Sequence, residues 1–204
     1  MSTSLRFLVV EDVEILRRAL LHALGTLGRV EGVGTAMDAR STLLAHKFDS
    51  MVVDVGLPDG TGLDLVSFAM QRWPAICVLV LTGSAEHSVI ARCHELGVRY
   101  LLKPFDTVQL KVHAQETRAR REAGDRRIAI ALDRWKRGHG LTNVEIELLA
   151  LGARGVPREE FEAVRKVRSD TIKKQIQMLL MKCGETTFEA AVNSLLREAV
   201  AEPL

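Results

Sequence analysis

Five residues that could do chemistry together each close a short apolar run of this sequence. They are three carboxylates, one hydroxyl and one lysine: Glu11, Asp12, Asp54, Thr82 and Lys103. Burying a charge is costly unless a neighbour compensates it, so Asp54 is either a satisfied structural residue or a group held for chemistry. Clustered carboxylates repel one another unless a cation neutralises them, and Mg²⁺ suits oxygen ligands of this kind. A lysine and a hydroxyl beside them suit a phosphoryl group.

The elements that must position these residues alternate between strand and helix patterns. Strands are predicted over 5–10, 30–36, 51–54, 76–82 and 98–102. Helices are predicted over 13–27, 38–46, 63–73 and 86–96, and a fifth starts after Pro104 with Asp106 as its cap. This alternation predicts an α/β fold with a parallel sheet covered on both faces. Because reactive groups lie at the carboxyl ends of such strands, the five residues are expected at one edge of the sheet.

Composition excludes several classes of protein. The chain is 47% hydrophobic and 26% charged, which suits a folded core rather than a disordered chain. Its longest purely apolar run, 76–81, is far shorter than the roughly 20 residues that span a bilayer, and no signal region opens the sequence, so no membrane association is expected. The three cysteines are scattered and odd in number, which favours a reduced, cytoplasmic setting.

Four segments resemble the receiver domain of two-component response regulators, the CheY-like fold. They are VVEDV, VVDVGLPDGTG, LTG and YLLKPF, at 9–13, 52–62, 81–83 and 100–105. The resemblance implies that Asp54 accepts a phosphoryl group from a histidine kinase or phosphotransfer protein. It also implies that Mg²⁺ is held by Glu11, Asp12, Asp54 and the backbone carbonyl of Gly56. The domain would then promote only its own phosphotransfer and dephosphorylation and would not otherwise be an enzyme.

Three further roles follow from the same resemblance. Lys103 would offset charge on the transferred phosphoryl oxygens. Thr82 and Tyr100 would form the switch, although Tyr100 is equally a half-buried strand aromatic with its hydroxyl in water. A phosphohydrolase with an aspartate nucleophile is disfavoured, because the second acid expected two residues after Asp54 is Gly56.

The middle of the chain carries the excess positive charge. Residues 115–138 hold 8 Lys/Arg against 4 Asp/Glu, which indicates a solvated linker or helix face, or alternatively a nucleic-acid patch. Gly124 is expected to end one helix and Asp125 to cap the next, which runs to Gly138. The stripe Ile128, Leu132 and Trp135 on this second helix either packs against a neighbouring domain or joins two domains or two protomers.

From residue 141 the pattern is entirely helical. Thr142 and Glu145 form a capping box and Leu141 and Ile146 a hydrophobic staple; further helices are predicted over 157–165, 169–183 and 187–200. These helices resemble the LuxR-type helix-turn-helix output domain in LTNVEIELLAL (141–151), Gly155, TIKKQIQMLLMKCG (171–184) and EAAVNSLL (189–196). The resemblance implies that the helix 169–183 enters the DNA major groove and that the last helix forms a dimer. The DNA-binding residues would be Arg168, Thr171, Lys173, Lys174 and Gln177, with Arg165 and Lys166 also on the DNA backbone.

This segment departs from the family pattern in its turn and on its outer face. Lys166 replaces the usual glycine, Arg168 replaces the usual capping serine, and Met178 and Met181 stand where polar or basic residues are common. Residues 139–204 also carry 9 Lys/Arg against 10 Asp/Glu, which is unfavourable for binding a polyanion. A helical dimerisation or protein-binding module that no longer binds DNA is therefore an open alternative.

The sequence predicts a five-stranded parallel, doubly wound receiver domain over 1–122. A helical linker over 123–139 and an all-α, four-helix helix-turn-helix domain over 140–204 follow it. The predicted function is that of a response regulator that is phosphorylated on an aspartate, forms a homodimer when phosphorylated and binds double-stranded DNA to regulate transcription. The alternatives are a phosphorylation-controlled protein-interaction module and a standalone phosphotransfer protein whose tail only dimerises.

Overall fold

A computed structural model describes residues 4–201 and divides the chain into two compact units, with the boundary between Arg121 and Glu122. The first unit contains a five-stranded sheet in the order β2-β1-β3-β4-β5, and every pair of neighbouring strands is parallel. Its strands are β1 (Leu5–Val10), β2 (Gly28–Val33), β3 (Ser50–Asp54), β4 (Cys77–Thr82) and β5 (Arg99–Leu102). The helices between them are α1 (Glu14–Gly25), α2 (Ala36–Ala45), α3 (Gly62–Arg72) and α4 (His87–Glu95). This architecture confirms the predicted fold class.

Side chains alternate between the two faces of the sheet because successive strand residues point in opposite directions. On one face, Leu8, Met51 and Val80 pack with residues of α2, α3 and α4. On the other face, Phe7, Val52 and Leu79 pack with α1 and with Leu110 and Ala114 of a fifth helix. All five residues of β3 are buried, which explains why that segment of the sequence is a continuous apolar run up to Asp54.

The boundaries of several predicted elements are shifted. Helix α1 ends at Gly25, two residues before its predicted end, and β2 begins at Gly28 and ends at Val33, whereas the prediction is 30–36. Helix α2 begins two residues earlier than predicted because the Thr35 side chain accepts a hydrogen bond from the amide of Asp38 and caps it.

The fifth helix, α5 (Thr107–Gly138), is one continuous element of 32 residues, and the predicted break at Gly124 and Asp125 is wrong. The amide of Val108 donates to Asp106 Oδ1 at 2.9 Å, which confirms the predicted start. A glycine ends a helix when it adopts a left-handed conformation, and Gly124 is not among the described glycines with positive φ. A glycine within a helix costs only about 1 kcal/mol, which the surrounding helix-forming residues outweigh.

The second unit is helical. It contains α6 (Asn143–Ala153), a 3₁₀ turn (Arg158–Glu160), α7 (Phe161–Arg165), α8 (Ser169–Cys183) and α9 (Phe188–Ala201). The capping box of Thr142 and Glu145 is present as predicted. The single helix predicted over 157–165 is instead the 3₁₀ turn followed by the short α7. Ile128, Leu132 and Trp135 pack with α6, α8 and α9, which supports packing against the helical unit as the role of that stripe. Within residues 4–201, no helix is long and apolar enough to cross a membrane.

Candidate functional site

Three carboxylates meet at the carboxyl edge of the sheet. Glu11 directly follows β1, Asp54 ends β3, and these two strands are neighbours. Each of Glu11, Asp12 and Asp54 offers an oxygen within 4.8 Å of the others. Glu11 and Asp54 are buried, whereas Asp12 is exposed to solvent. The predicted cluster therefore forms in the structure, with one open side.

Lys103 partly neutralises this cluster. Its Nζ atom donates to Glu11 Oε2 at 2.8 Å and lies 3.1 Å from Asp54 Oδ1. Burial alone would lower the pKa of the Lys103 ammonium, but the bonds to Glu11 and Asp54 raise it on balance, so the lysine stays charged. Burial raises the pKa of the Glu11 carboxyl, and the charge of Asp54 raises it further despite the opposing hydrogen bond from Lys103. Three carboxylates facing one cation leave uncompensated negative charge.

This excess charge makes the cluster suitable for a divalent cation. The donors are carboxylate oxygens, the ligand type that Mg²⁺ prefers, and the exposure of Asp12 leaves room for the waters that this ion retains. A Cβ atom at Gly56 would lie 3.9 Å from Asp54 Oδ2, so the backbone of Gly56 approaches the same carboxylate. The residues present fit Mg²⁺.

The loop after Asp54 is held in place by contacts that sequence reasoning missed. Gly56–Leu57 and Gly60–Thr61 pair as a minimal antiparallel hairpin. The Asp59 carboxylate accepts hydrogen bonds from the amides of Ala36 and Met37 at 2.8 and 2.9 Å. These bonds lower the pKa of Asp59 and tie the hairpin to the N-terminus of α2.

Gly62 and Arg17 also position the carboxylates. A Cβ atom at Gly62 would lie 2.0 Å from the carbonyl oxygen of Asp54, so any side chain there would displace the aspartate backbone. Arg17 Nη1 donates to the carbonyl oxygens of Glu11 and Asp12 at 2.7 and 3.2 Å. The only sequence signal for Arg17 is its place on the first helix after the two acids.

The two predicted switch residues lie on neighbouring strands. The Thr82 side chain is buried, and its hydroxyl donates to the Ser84 carbonyl at 2.9 Å and accepts from the Ser84 amide at 3.1 Å. Tyr100 is half-buried on β5 and meets His94 edge to face, with ring centroids 6.1 Å apart. In this structure, the Thr82 hydroxyl is thus committed to the loop before α4.

In the second unit, α8 presents most of the predicted DNA-binding residues on its surface. Ile172, Ile176 and Leu179 are buried against the unit. The exposed residues are Arg168, Asp170, Thr171, Lys173, Lys174, Gln177, Met178 and Met181. The α8 helix therefore has one buried side and an outer side on which Thr171, Lys173, Lys174 and Gln177 are exposed.

Two of the departures from the family pattern, Lys166 and Arg168, affect the backbone geometry and the capping of the turn before α8. Lys166 has φ 54°, and among the described residues it is the one non-glycine residue with a left-handed backbone. Arg168 occupies the N-cap, and within residues 4–201 no side-chain hydrogen bond caps that end of α8. A glycine and a serine would suit these two positions better.

One expectation for this unit is wrong, and another stays a prediction. The Arg165 guanidinium donates to Gln175 Oε1 at 2.7 Å and pairs with Glu147 at 3.3 Å; its side chain is only 12% exposed, so it is engaged within the unit rather than available for DNA. Dimer formation by the last helix, α9, stays a prediction, and the apolar residues that recur on it at helical spacing are Val192, Leu195, Leu196 and Ala199. Three of these four residues are buried in the unit's own core, and only Leu196 is half-buried. The large apolar side chain left exposed on α9 is Val200.

Comparisons with known proteins find relatives along most of the chain. The family model for the response regulator receiver domain matches residues 7–115. The DNA-binding transcriptional activator DevR/DosR of Mycobacterium tuberculosis is 30% identical over 197 residues, which cover 90% of this chain and 91% of that protein. The response regulator protein VraR of Staphylococcus aureus is 24% identical over 88% of this chain and 90% of its own length.

Solved structures match the first unit. The non-phosphorylated HemR receiver domain from Leptospira biflexa is 31% identical with a TM-score of 0.51, over 55% of this chain and 93% of that chain. A CheY-like receiver domain protein from Methanospirillum hungatei is 24% identical with a TM-score of 0.56, over 59% of this chain and 98% of that chain. The second match supports the fold alone.

Proposed function

The chain belongs to the two-component response regulators that carry a receiver domain and regulate transcription, and we propose that it does so by binding DNA when Asp54 is phosphorylated. The observation that carries this proposal is the placement of the Asp54 carboxylate 3.1 Å from Lys103 and beside Glu11 and Asp12. DNA binding is supported by the outer surface of α8 and by the relative described as a DNA-binding transcriptional activator.

Asp54 acts as the nucleophile. One of its carboxylate oxygens attacks the phosphorus of a phosphohistidine on a histidine kinase or phosphotransfer protein, and an acyl phosphate forms. The phosphorus–nitrogen bond breaks, and its electron pair stays on the imidazole of the donor. Lys103, which already holds Asp54 and Glu11, offsets the charge of the transferred phosphoryl oxygens.

Glu11, Asp12, Asp54 and the carbonyl of Gly56 would hold Mg²⁺. When bound, the ion supplies positive charge that lets the anionic phosphoryl group approach three carboxylates. Gly62 and Arg17 act as positioning residues. Gly62 allows the backbone turn beside Asp54, and Arg17 holds the carbonyls of Glu11 and Asp12.

Phosphorylation is transmitted through Thr82 and Tyr100. A phosphoryl oxygen on Asp54 competes with the Ser84 carbonyl for the Thr82 hydroxyl, so the loop before α4 loses its hydrogen bond when Thr82 turns towards the phosphate. The vacated space lets Tyr100 move inward from its half-buried position. We assign the receiver domain to 1–122, the linker to 123–139 and the DNA-binding domain to 140–204.

The experiment is a salt titration of DNA binding by the intact protein. The protein is treated with acetyl phosphate and Mg²⁺, weighed by mass spectrometry, and titrated against a random-sequence duplex pool at two salt concentrations. We expect one added phosphoryl group, tighter DNA binding after phosphorylation, and weaker binding at high salt. Asp54→Ala should lose the added mass and the phosphorylation response, while Asp64→Ala, an exposed aspartate of α3, serves as the control. A phosphoryl group retained by Asp54→Ala refutes the acceptor assignment.

A protein-interaction module is the second candidate, because Met178 and Met181 expose apolar surface on the outer side of α8. It becomes the leading function if the phosphorylated protein gains mass as expected and yet enriches no duplex from the pool.

A further inference from the structure

The outer stripe of α8 consists of Lys174, Gln177, Met178 and Met181. Lys174 and Met181 lie opposite the buried residues of the helix, and Gln177 and Met178 flank this line, since each residue turns the helix by about 100°. Their spacing is i, i+3, i+4 and i+7, which is the spacing by which a helix lying in the major groove presents side chains to base edges. The stripe is therefore the part of α8 that faces the bases if this helix enters the groove.

Half of this stripe is apolar. The exposed fraction is 51% for Met178 and 73% for Met181, and they lie one turn apart on the same side. A thioether has no hydrogen-bond donor and is a weak acceptor. It cannot satisfy the two acceptors of guanine, and packing against them would remove their water without replacing it. The one apolar group that a base presents in the major groove is the C5 methyl of thymine.

We propose that Met178 and Met181 contact thymine methyl groups in the major groove, so that α8 selects sites with thymine at two neighbouring positions. The inference rests on the proposed DNA-binding function and names the base features that this site takes. Gln177, which directly precedes Met178 on the stripe, has the amide that pairs with the adenine edge, so three of the four stripe residues favour A·T pairs. The two methionines lie about 4.5 Å apart along the helix axis, so both are near enough to reach neighbouring base pairs, which are about 3.4 Å apart.

Charge around the stripe favours DNA as its occupant. Lys166, Arg168 and Lys173 are exposed at the turn and on the first part of α8, beside Lys174. Asp170 is the acid on the same surface, and it lies 3.8 Å from Lys173. DNA offers both thymine methyl groups for the apolar side chains of the stripe and phosphates for the cations at its end. An acidic partner protein would need an additional apolar surface to cover the two methionines.

The test removes the methyl group and nothing else from the base. The intact, phosphorylated protein first selects duplexes from a random pool made with the four standard bases. The selected duplexes are then remade with deoxyuridine in place of thymidine, which keeps the O4 acceptor and removes the C5 methyl. Burial of one methyl group is worth about fourfold in affinity, so loss of both contacts should weaken binding about fifteenfold. Replacing thymidines singly should locate the effect at two neighbouring positions.

A double-mutant cycle separates contact from altered DNA shape. Met181→Ala and Met178→Ala should each weaken binding to the thymidine duplex and change little on the deoxyuridine duplex. Lys173→Ala should weaken both duplexes alike, and Met37→Ala, an equally exposed methionine of the first unit, should change neither. Equal affinity for the two duplexes, or equal losses in the methionine variants on both, overturns the methyl contact while leaving DNA binding intact. Failure to enrich any duplex overturns the DNA-binding proposal and this inference with it.

Discussion

Lys103 is the residue on which the charge balance of the receiver site depends. Its ammonium group bonds both Glu11 and Asp54, and it would also repel a bound divalent cation. Lys103→Met keeps the aliphatic stem and removes the charge. We expect Mg²⁺ to bind about fivefold more tightly at pH 8, because the carboxylates lose a competing cation. Phosphorylation by acetyl phosphate should slow about a hundredfold, because a charge donor to the phosphoryl oxygens is gone.

Isothermal calorimetry and the rate of phosphoryl mass gain measure these opposite effects. Lys111→Ala, an exposed lysine of α5, should leave both unchanged. Parallel losses of metal affinity and rate in Lys103→Met would contradict the proposed role and indicate a collapsed site.

His113 makes the stability of the first unit depend on pH. Its Nε2 lies 2.7 Å from the hydroxyl of the buried Ser50, and its side chain is itself buried. Burial, helped by the charge of Arg99, lowers the pKa of His113 from 6.5 to about 4. The unfolded chain therefore binds more protons than the folded one between these values. Stability is present above pH 6.5 and falls by up to about 3 kcal/mol as the pH drops to 4.

Urea unfolding at pH 7 and pH 5, followed by Trp73 fluorescence in a Trp135→Phe background, measures this loss. His113→Gln should flatten the dependence over this range, while His22→Gln, at an exposed position, should retain it. An unchanged slope in His113→Gln would assign the pH dependence to other groups.

The turn between α7 and α8 combines an unfavourable backbone conformation and an uncapped helix start with positive charge. Lys166→Gly should stabilise the second unit by about 1 kcal/mol by relieving the left-handed backbone. Arg168→Ser should add about 1 kcal/mol by capping α8. Both changes should nevertheless weaken DNA binding for all sequences alike and lower the salt slope by about one unit each, because a phosphate contact is lost.

Unfolding followed by Trp135 in a Trp73→Phe background gives the stability, and titrations at several salt concentrations give the affinity. Lys182 is a poor target for the same test, because its ammonium already bonds the buried Glu145. If affinity and stability rise together, Lys166 and Arg168 do not contact phosphate.

These elements also show what the sequence could predict. Strand ends, the carboxylate cluster and the capping box follow from local patterns, because each depends on a few neighbouring residues or on parallel strand order. The continuity of α5 could not be predicted, since Gly124 is compatible with both a helix interior and a helix end until its backbone angles are known. The contacts of Asp59 and Arg165 join residues distant in sequence or spaced without a motif, so no local pattern announces them.

We expect phosphorylation to promote the formation of dimers. Because Val192, Leu195 and Ala199 serve the core of the unit itself, the surface of α9 available to a second copy is Asn193, Leu196, Arg197 and Val200. Val200→Glu places a charge there and should weaken the phosphorylated dimer at least tenfold in sedimentation velocity runs. Val164→Glu, at a similarly exposed valine of α7, should not. A protein that stays monomeric at high concentration after complete phosphorylation contradicts dimer formation.

Because α5 is unbroken, the number of residues in it fixes the rotation about the helix axis from one end of this helix to the other. Over 32 residues the helix is about 48 Å long, and each residue inserted into it turns the part of the helix that follows by about 100° about the helix axis. Two alanines added after Gly124 would turn the following segment by about 200°, whereas seven would return it to within about 20° of its original direction. If the rotation along α5 matters for signal transmission, the phosphorylation response of DNA binding should be lost with two added residues and restored with seven. If phosphorylation changes DNA binding equally in every insertion variant, α5 acts only as a tether, and the rotation along it does not contribute to the response.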